Sequence, residues 1–401
     1  MRKPILKDKI FWLLLALASV YILSNIATGS ITTHDEAIYA CVSKEILKTN
    51  SWLVPLHWDR PWLDKPPLYM WLTAISYKMF GINEFSTRLV SSLFGIAVIL
   101  LMYLFSKRLY GKHTAILSSL ILLGTPHFLH FAKLGVIDVP LTFFILLMIY
   151  LFWVGKAQPR HLFFIGIVFG AAYFIKGFHA FLGPAIIVIY CLFTKSLRRL
   201  FNPQFIMGIL ISLTAIFIFH LVQYILIGPE FLDHYFGLHI FQRATEAIEG
   251  HSGGINFYQK AIFNKNKPWS LLAYLSGIYI LWQSLRHKDK RAIMILCWMS
   301  VSYILYSAVK TKLHWYIMPI YPALALSSAV FLGRFLKGKA FNLSVAAILV
   351  IMLIQVPISW AFKLGFNPDV KRAAGYAQEL KNRGLKVYLY RVDNNAEKFY
   401  L

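Results

Sequence analysis

The sequence of 401 residues is 58% hydrophobic and 16% aromatic, and only 14% of its residues are charged. Soluble domains usually carry about 25% charged residues, so this composition excludes an ordinary soluble protein and is typical of a polytopic membrane protein. The formal net charge of +24 could indicate nucleic-acid binding. The basic residues are instead spread through short loops between apolar runs, which indicates membrane topology and predicts no nucleic-acid partner.

Eleven apolar runs are long enough to cross a hydrocarbon core of roughly 30 Å as helices. The basic start and the first run are also typical of a cleaved signal peptide, but we expect a first span because many others follow. The fifth and sixth runs are separated only by the sequence KGFHA. The fold class is therefore predicted to be all-α and polytopic. The predicted spans are about 10–29, 89–107, 114–131, 138–155, 161–177, 179–194, 204–227, 269–285, 292–309, 315–333 and 341–362.

The loops predict which end of the bundle faces outward. With the N-terminus inside, the cytoplasmic loops are short and basic, and of the seventeen acidic residues only Asp8 and Asp289 fall inside. Two long outer loops follow, at about 30–88 and 228–268. We therefore predict a multi-pass protein of the cell membrane whose chemistry lies on the extracytoplasmic side.

We expect a transmembrane domain, residues 1–362, which would carry the function, and an extracytoplasmic segment, residues 363–401, which is expected to be incomplete. The segment has the pattern of a helix ended by Gly384 and followed by a strand, KVYLYRV. This is the opening of a small α/β unit, and about 40 residues are too few for a stable core.

The first outer loop places two acids directly after the first span. Thr33 and Glu36 have the spacing of a capping box, so we expect a helix to begin at Thr33. Asp35 and Glu36 would lie in its first turn, where the helix dipole favours ionised carboxylates. Tyr39 lies one turn beyond Asp35 on the same face. These acids suit either catalysis or an ordinary helix start.

The stretch RPWLDKPPLYMWL is predicted to lie at headgroup level, because it combines aromatic residues with a lysine between an acid and two prolines. Lys65 could bind a lipid phosphate or extend to the interface as a simple anchor. Asp64 and Tyr69 flank it and are candidates for the substrate pocket.

Other ionisable residues gather at the predicted outer ends of spans. Asp138 begins the fourth span and is either functional or a helix-start residue beside Pro140. Arg88, Lys310 and Lys312 are basic at outer ends, which as a group predicts a bound anion such as a phosphate, whereas each one singly is better explained as a contact with lipid headgroups. Two further pocket candidates follow Lys312 in the stretch KTKLHWYIMPIYP, namely His314 and Tyr316.

The second outer loop contains GHSGG, whose glycines would allow a mobile cover over a site. His251 in this stretch is a pocket candidate. With Asp64 it is also a candidate metal ligand, so a divalent metal is possible although no cofactor is required. The three cysteines, Cys41, Cys191 and Cys297, are far apart and show neither a disulfide framework nor a zinc pattern.

Six segments in this order resemble the polyprenyl-phosphate-sugar-dependent glycosyltransferases of the GT-C fold. The resemblance covers roughly residues 5–360. It is closest to the PMT-like branch shared by protein O-mannosyltransferases and the bacterial lipid A aminoarabinose transferase. The segments are DEAIYACVSKEIL, LDKPPLYMW, GINEFSTRLVSSLFG, VIDVPLTFF, GHSGG followed by KPW, and KLHWYIMPIYPALAL.

The resemblance implies roles for individual residues. It makes Asp35 the catalytic carboxylate with Glu36 as a structural companion, directs Lys65 at the lipid phosphate, and matches Asp138 to an acid of the second outer loop. Tyr39 is similar to a tyrosine that lines the pocket. The chain departs from the aminoarabinose branch in two ways: Ile38 stands where arginine is common, and the acidic-Lys-Pro segment begins with Asp64 instead of Glu.

The resemblance implies transfer of a sugar from a polyprenyl-phosphate donor to a lipid, protein or glycan acceptor, with inversion at the anomeric carbon. Membrane lipids are the other expected partners. A secondary transporter is the main alternative. That class predicts internal repeats and paired broken helices at mid-membrane, and the sequence shows neither pattern. A membrane protein that binds polyprenyl phosphate without turnover would satisfy the argument for Lys65 equally well.

Overall fold

The computed structural model describes residues 7–31, 34–247 and 250–361, with positions 372, 375–377, 379–380, 382–383 and 399. Nearly all of these are helical, as predicted. The helices are α1 (Lys9–Leu23), α2 (His34–Thr49), α3 (Leu68–Phe80), α4 (Glu84–Tyr110), α5 (Lys112–Leu123), α6 (Pro126–Ala132), α7 (Asp138–Val154), α8 (Arg160–Lys176), α9 (Leu182–Phe193), α10 (Pro203–Ile227), α11 (Pro229–Leu232), α12 (Arg243–Thr245), α13 (Phe257–Lys265), α14 (Ser270–Arg286), α15 (Lys290–Ala308), α16 (Tyr321–Phe335) and α17 (Lys339–Ala361).

Short elements of other types connect these helices. A π-helix covers Asp233–Gln242, and 3-10 helices cover Gly177–Phe181, Leu197–Phe201 and His314–Ile320. A two-residue antiparallel hairpin pairs β1 (Leu56–His57) with β2 (Arg60–Pro61). Its two turn residues, Trp58 and Asp59, both have positive φ, as a tight type I′ turn requires.

Among the residues that the structure describes, five helical stretches are long and apolar enough to cross a membrane, and a sixth is added if α5 and α6, bent by 68°, form one broken span. Each of the eleven predicted spans coincides with a helix or a broken pair of helices, while the count of eleven stays a prediction. Helix α2 begins at His34, and Thr33 lies outside the described residues. In the tail, residues 375–377 and 379–380 are helical, whereas the predicted strand lies outside the described residues.

The fifth and sixth predicted spans form a hairpin around the sequence KGFHA. The 3-10 helix Gly177–Phe181 joins α8 directly to α9. The ammonium of Lys156, before α8, lies 3.4 Å from the hydroxyl of Tyr190, near the end of α9. At 1.5 Å per residue a continuous helix would hold these two residues about 50 Å apart, so the chain reverses at the 3-10 turn.

Small residues allow the membrane helices to approach closely. A Cβ atom added to Gly208 on α10 would lie 2.0 Å from the carbonyl oxygen of Phe163 on α8. The backbones of α8 and α10 therefore touch at this point, as in small-residue contacts of membrane helices generally. Elsewhere serine hydroxyls link helices, as between Ser118 and Ser106 at 2.8 Å.

The bundle has two different ends. The long-loop end carries α2, α3, the hairpin, the turn between α8 and α9, and the π-helix. The amide of Gln223, near the end of α10, donates to the carbonyl of Leu53 at 2.7 Å and ties the first outer loop to α10. The short-loop end carries the basic loops, where Lys107 pairs with Asp8 and Arg291 donates to the carbonyl of Leu109 at 3.2 Å. The candidate functional residues lie at the long-loop end.

Candidate active site

Glu36 and Arg88 form an ion pair that holds the start of α2 against α4. Both side chains are inaccessible to solvent. The Nε and Nη2 groups of Arg88 donate to the two oxygens of Glu36 over 2.8 and 3.2 Å, and Glu36 also accepts from the Gly135 amide at 2.8 Å. The other donors of Arg88 are directed at the carbonyls of Ile26, Thr28, Gly29 and Ser30.

Two predictions need correction for this reason. Arg88 does not serve the donor phosphate, because all of its N–H groups are directed at the protein. Glu36 was a candidate catalytic acid, but both of its oxygens are bound and buried, which argues against catalysis and fits the structural companion that the family resemblance implies.

Asp138 forms a second buried ion pair, with Lys176 at the end of α8. The exposed fractions of the two residues are 2% and 3%, and the Lys176 ammonium donates to Asp138 Oδ1. No side chain caps α7, so Asp138 is not a capping residue. The Lys176 ammonium also lies 4.5 Å from the ring centre of Tyr316. Asp138 therefore anchors a cation at the turn between α8 and α9.

Lys65 lies half-buried in the same region. Its ammonium donates to the carbonyl of Asp64 at 2.9 Å. Burial lowers the pKa of Lys65 to about 8, and the nearby charges of Arg243 and Lys176 act in the same direction, whereas Asp64 and Asp35 raise this pKa. Three cations thus gather at one place, which favours an anion.

Asp64 is directed at the π-helix. Its Oδ1 lies 3.0 Å from Nε2 of His234. π-Helical turns are frequent at functional sites, and this contact links the Lys65 segment to the second outer loop. Within the described ranges no three His, Cys, Asp or Glu side chains are grouped as metal ligands would be, so the metal site suggested for Asp64 and His251 has no support from geometry.

Arg243, at the start of α12, completes the cation group. Its Nη1 lies 3.4 Å from the hydroxyl of Tyr316. The segment that contains Lys310 and Lys312 supports it through the backbone, because the amides of Lys310 and Thr311 donate to the carbonyls of Ala244 and Arg243 over 3.1 and 3.2 Å.

The side chains of Lys310 and Lys312 do not join the site. Lys310 is exposed, and the Lys312 ammonium donates to the carbonyl of Val309. The Lys312 amide donates to the carbonyl of His251 at 2.9 Å, so His251 lies against the segment that contains Lys310 and Lys312. The positions of these two side chains argue against the prediction that Lys310 and Lys312 bind the phosphate, and Arg243 is the cation that lies near Lys65 instead.

Asp35 and Tyr39 lie between these groups on α2. Burial raises the pKa of Tyr39 well above 10, and the charges of Asp35, Asp138 and Asp64 raise it further. Asp35 is half-buried. Among the described residues its carboxylate has no ion pair or hydrogen bond, whereas Glu36, Asp64 and Asp138 each face a cation or a histidine. Asp35 is therefore the acid that is left available for a substrate.

Two predicted pocket residues lie behind the site. Tyr69 is inaccessible to solvent, lies 3.1 Å from Ser91 through its hydroxyl and packs edge-on against Tyr39 with ring centres 5.9 Å apart. His314 lies 2.9 Å from His127 between ring nitrogens, and His127 in turn lies 2.6 Å from the Tyr321 hydroxyl. Tyr69 supports Tyr39, and His314 belongs to this separate histidine pair.

Sequence reasoning missed Lys176, Arg243 and His234. In the sequence, Lys176 belongs to a stretch that indicates only a break between two spans. Arg243 lies in a stretch that indicates only a loop. A lysine at the end of an apolar helix is itself a signal, because burying it requires an acidic partner.

Part of this chain matches a known protein family, and most of it matches a curated relative. A family model described as dolichyl-phosphate-mannose-protein mannosyltransferase matches residues 64–223. An uncharacterized protein of Aquifex aeolicus (strain VF5) is 31% identical over 356 residues, which cover 87% of this chain and 70% of that protein.

Relatives with named activities are more distant. The undecaprenyl phosphate-alpha-4-amino-4-deoxy-L-arabinose arabinosyl transferase 2 of Proteus mirabilis (strain HI4320) is 28% identical over 344 residues, covering 80% of this chain and 61% of the relative. The chain thus spans about three fifths of that transferase.

Among solved structures, ArnT from Cupriavidus metallidurans bound to undecaprenyl phosphate matches with a TM-score of 0.74 and 22% identity, covering 98% of this chain and 74% of that one. The Archaeoglobus fulgidus oligosaccharyltransferase matches with a TM-score of 0.58 and 12% identity, covering 96% and 61%. The family match and the 31% identical relative show that the chain belongs to the PMT-like glycosyltransferases, and the likeness to the solved structures shows the GT-C fold.

Proposed function

We propose that this protein transfers a sugar from a polyprenyl-phosphate donor to a hydroxyl group of a lipid, protein or glycan. The observation that carries the proposal is the gathering of Lys65, Lys176 and Arg243 around Asp35, the one acid of the site without a partner among the described residues. Anion recognition and an available base are the two requirements of transfer from a sugar phosphate.

The donor phosphate lies against Lys65 and Arg243 in this proposal. Lys176 is committed to Asp138, so it contributes charge more than a direct contact. Arg243 provides a planar fork suited to two phosphate oxygens, Lys65 provides a point charge, and the Tyr316 hydroxyl beside Arg243 can donate a third hydrogen bond. These groups also stabilise the negative charge that develops as the phosphate leaves.

Asp35 receives the proton of the acceptor hydroxyl. The acceptor oxygen attacks the anomeric carbon, the bond from that carbon to the phosphate oxygen breaks, and the phosphate keeps the electron pair. An ionised aspartate is a weak base for an alcohol, so orienting the acceptor contributes together with proton transfer. Direct attack by the acceptor gives inversion at the anomeric carbon.

The reaction takes place at the outer face of the cell membrane in this proposal. The short loops at the opposite end of the bundle are basic, which favours the cytoplasm on that side. Undecaprenyl phosphate is the lipid found with the ArnT structure and named for the aminoarabinose transferases, so a lipid of that class is the donor carrier to test first.

The test uses the purified full chain, a polyprenyl phosphate carrying a radiolabelled sugar, and a membrane extract as acceptor. Wild type should move label to an acceptor, and Asp35→Asn should abolish transfer while leaving donor binding intact. Asp59→Asn is the matched control, because Asp59 lies exposed in the hairpin of the same outer loop. Label that stays on the lipid with wild type, across several sugars, would instead support binding or transport without turnover.

A further inference from the structure

A cavity opens at the short-loop end of the bundle, and its lining includes no residue of the candidate active site. It has a volume of about 830 Å³ and is bounded by α9, α14 and α15. This size falls within the roughly 300–1,000 Å³ of typical ligand pockets. Its wall is mostly apolar and includes Ala185, Phe193, Leu296, Val301 and Leu305.

Three lysines stand around one end of this cavity, namely Lys195 after α9, and Lys288 and Lys290 at the turn between α14 and α15. No acidic residue is among those that line it. Asp289, the nearest acid in sequence, pairs with Arg291, with 3.1 Å between Oδ1 and Nε. The three ammonium groups have no ion pair or hydrogen bond among the described side chains. A cluster of unneutralised positive charge thus adjoins an apolar groove.

We propose that this groove binds one anionic phospholipid of the leaflet at the short-loop end. The phosphate of the headgroup lies between Lys195, Lys288 and Lys290, and one acyl chain lies in the apolar part. Basic pockets between membrane helices bind anionic headgroups in this way, and lysine stems can cover apolar surface while their ammonium groups reach the headgroup level.

The length of the groove favours an acyl chain. Residues from Lys290 to Leu305 on α15 line it. At 1.5 Å per residue this stretch extends about 22 Å from the headgroup level, which exceeds half of a hydrocarbon core of roughly 30 Å. A chain of one leaflet therefore fits along its depth.

Backbone conformation gives independent support for the lysines. Lys195 and Lys288 have φ of 51° and 49°, a region that side chains other than Gly, Asn and Asp rarely adopt. A lysine is a costly choice at such positions. Its presence at both is explained if the ammonium groups are needed at the cavity mouth.

The experiment measures lipid binding to the full chain by native mass spectrometry, titrating phosphatidylglycerol or phosphatidylcholine with identical acyl chains. Wild type should bind one phosphatidylglycerol at least about tenfold more tightly than phosphatidylcholine. The triple variant Lys195→Gln, Lys288→Gln, Lys290→Gln should lose this preference, since each lysine near an anionic lipid contributes several-fold in affinity. Glycosyl transfer is not needed for this readout.

Two further variants test whether the lysines and the groove are specific to this site. The charge-matched control changes three exposed lysines of other short loops, Lys112, Lys337 and Lys339, to Gln and should leave the preference intact. Ala185→Trp, which fills the groove, should weaken both phospholipids. Equal affinity of wild type for the two phospholipids would overturn the proposal. So would a preference that survives the first triple variant.

Discussion

Asp35 and Glu36 are adjacent on α2 but should have different roles, and replacing each acid by its amide distinguishes a catalytic role from a structural one. Glu36→Gln leaves the Arg88 guanidinium buried without a countercharge. Removing one partner of a buried ion pair typically costs about 3–5 kcal/mol. Arg88 keeps its hydrogen bonds to four carbonyls, so we expect the lower end, about 3 kcal/mol. Asp35→Asn removes a half-buried charge without a partner among the described residues and should change stability by less than about 0.5 kcal/mol.

The assay is thermal unfolding of both variants in the same detergent, with donor binding measured in parallel. A cost of 1 kcal/mol lowers the melting temperature by roughly 2 °C in a large chain, so Glu36→Gln should melt on the order of 6 °C below wild type. Asp35→Asn should melt with wild type and yet be inactive. Equal melting temperatures for Glu36→Gln and wild type would refute the structural role of the Glu36–Arg88 pair.

Three other predictions concern the phosphate site and the helix packing. Burial lowers the pKa of Lys65 to about 8, so this ammonium group loses its proton and donor affinity should fall as pH rises from about 7 to about 10. In Lys65→Arg this fall, measured as KM against pH, should disappear. A fall that persists in the variant would exclude Lys65 as its source. Arg243→Lys should raise KM for the donor about tenfold through loss of the two-point contact, and an unchanged KM would exclude that contact. Gly208→Ala should lower the melting temperature, because its new methyl group meets the Phe163 carbonyl. Gly277→Ala is the control and should not lower it, because no atom lies within 4 Å of the added Cβ. Equal melting temperatures of the two variants would contradict close packing of α8 and α10.

The sequence was sufficient for the helical fold and for part of the site. Spacing and family resemblance pointed to Asp35, Lys65 and Asp138, and the structure places them within electrostatic reach of one another. Asp35 and Asp138 could be found because each stands at an end of an apolar run, where a charge is costly and draws attention. Lys65 could be found because it lies between an acid and two prolines in an aromatic-rich stretch.

The assignment of cations could not be made from the sequence, because it depends on partners far along the chain. Arg88 looks like an anion ligand until its partner, 52 residues earlier, is known to be Glu36. Lys176 was passed over because its partner Asp138 is 38 residues away on another helix. Arg243 lies on a three-residue helix after a π-helix, and no periodic pattern marks such an element.

In the proposed transfer, charge conservation accounts for Asp35 having no partner among the described residues. The sugar donor is a phosphodiester with one negative charge, and the released polyprenyl phosphate carries about two, since its second pKa is near 6. If the acceptor proton moves to Asp35, the carboxylate becomes neutral as the phosphate gains its charge, and the net charge of the buried site does not change. A cation paired with Asp35 would hold it ionised and oppose this exchange.

This exchange leads to a last prediction about product binding. Asp35→Asn imitates the neutral state of Asp35 after transfer, so it should bind polyprenyl phosphate at least as tightly as wild type while failing to catalyse. Lys65→Ala should weaken binding of the same product, because it removes a cation from the phosphate site. Measuring binding of sugar-free polyprenyl phosphate to both variants separates the two roles. Weaker product binding by Asp35→Asn than by wild type would mean that Asp35 holds the lipid phosphate site together and does not act as the proton acceptor.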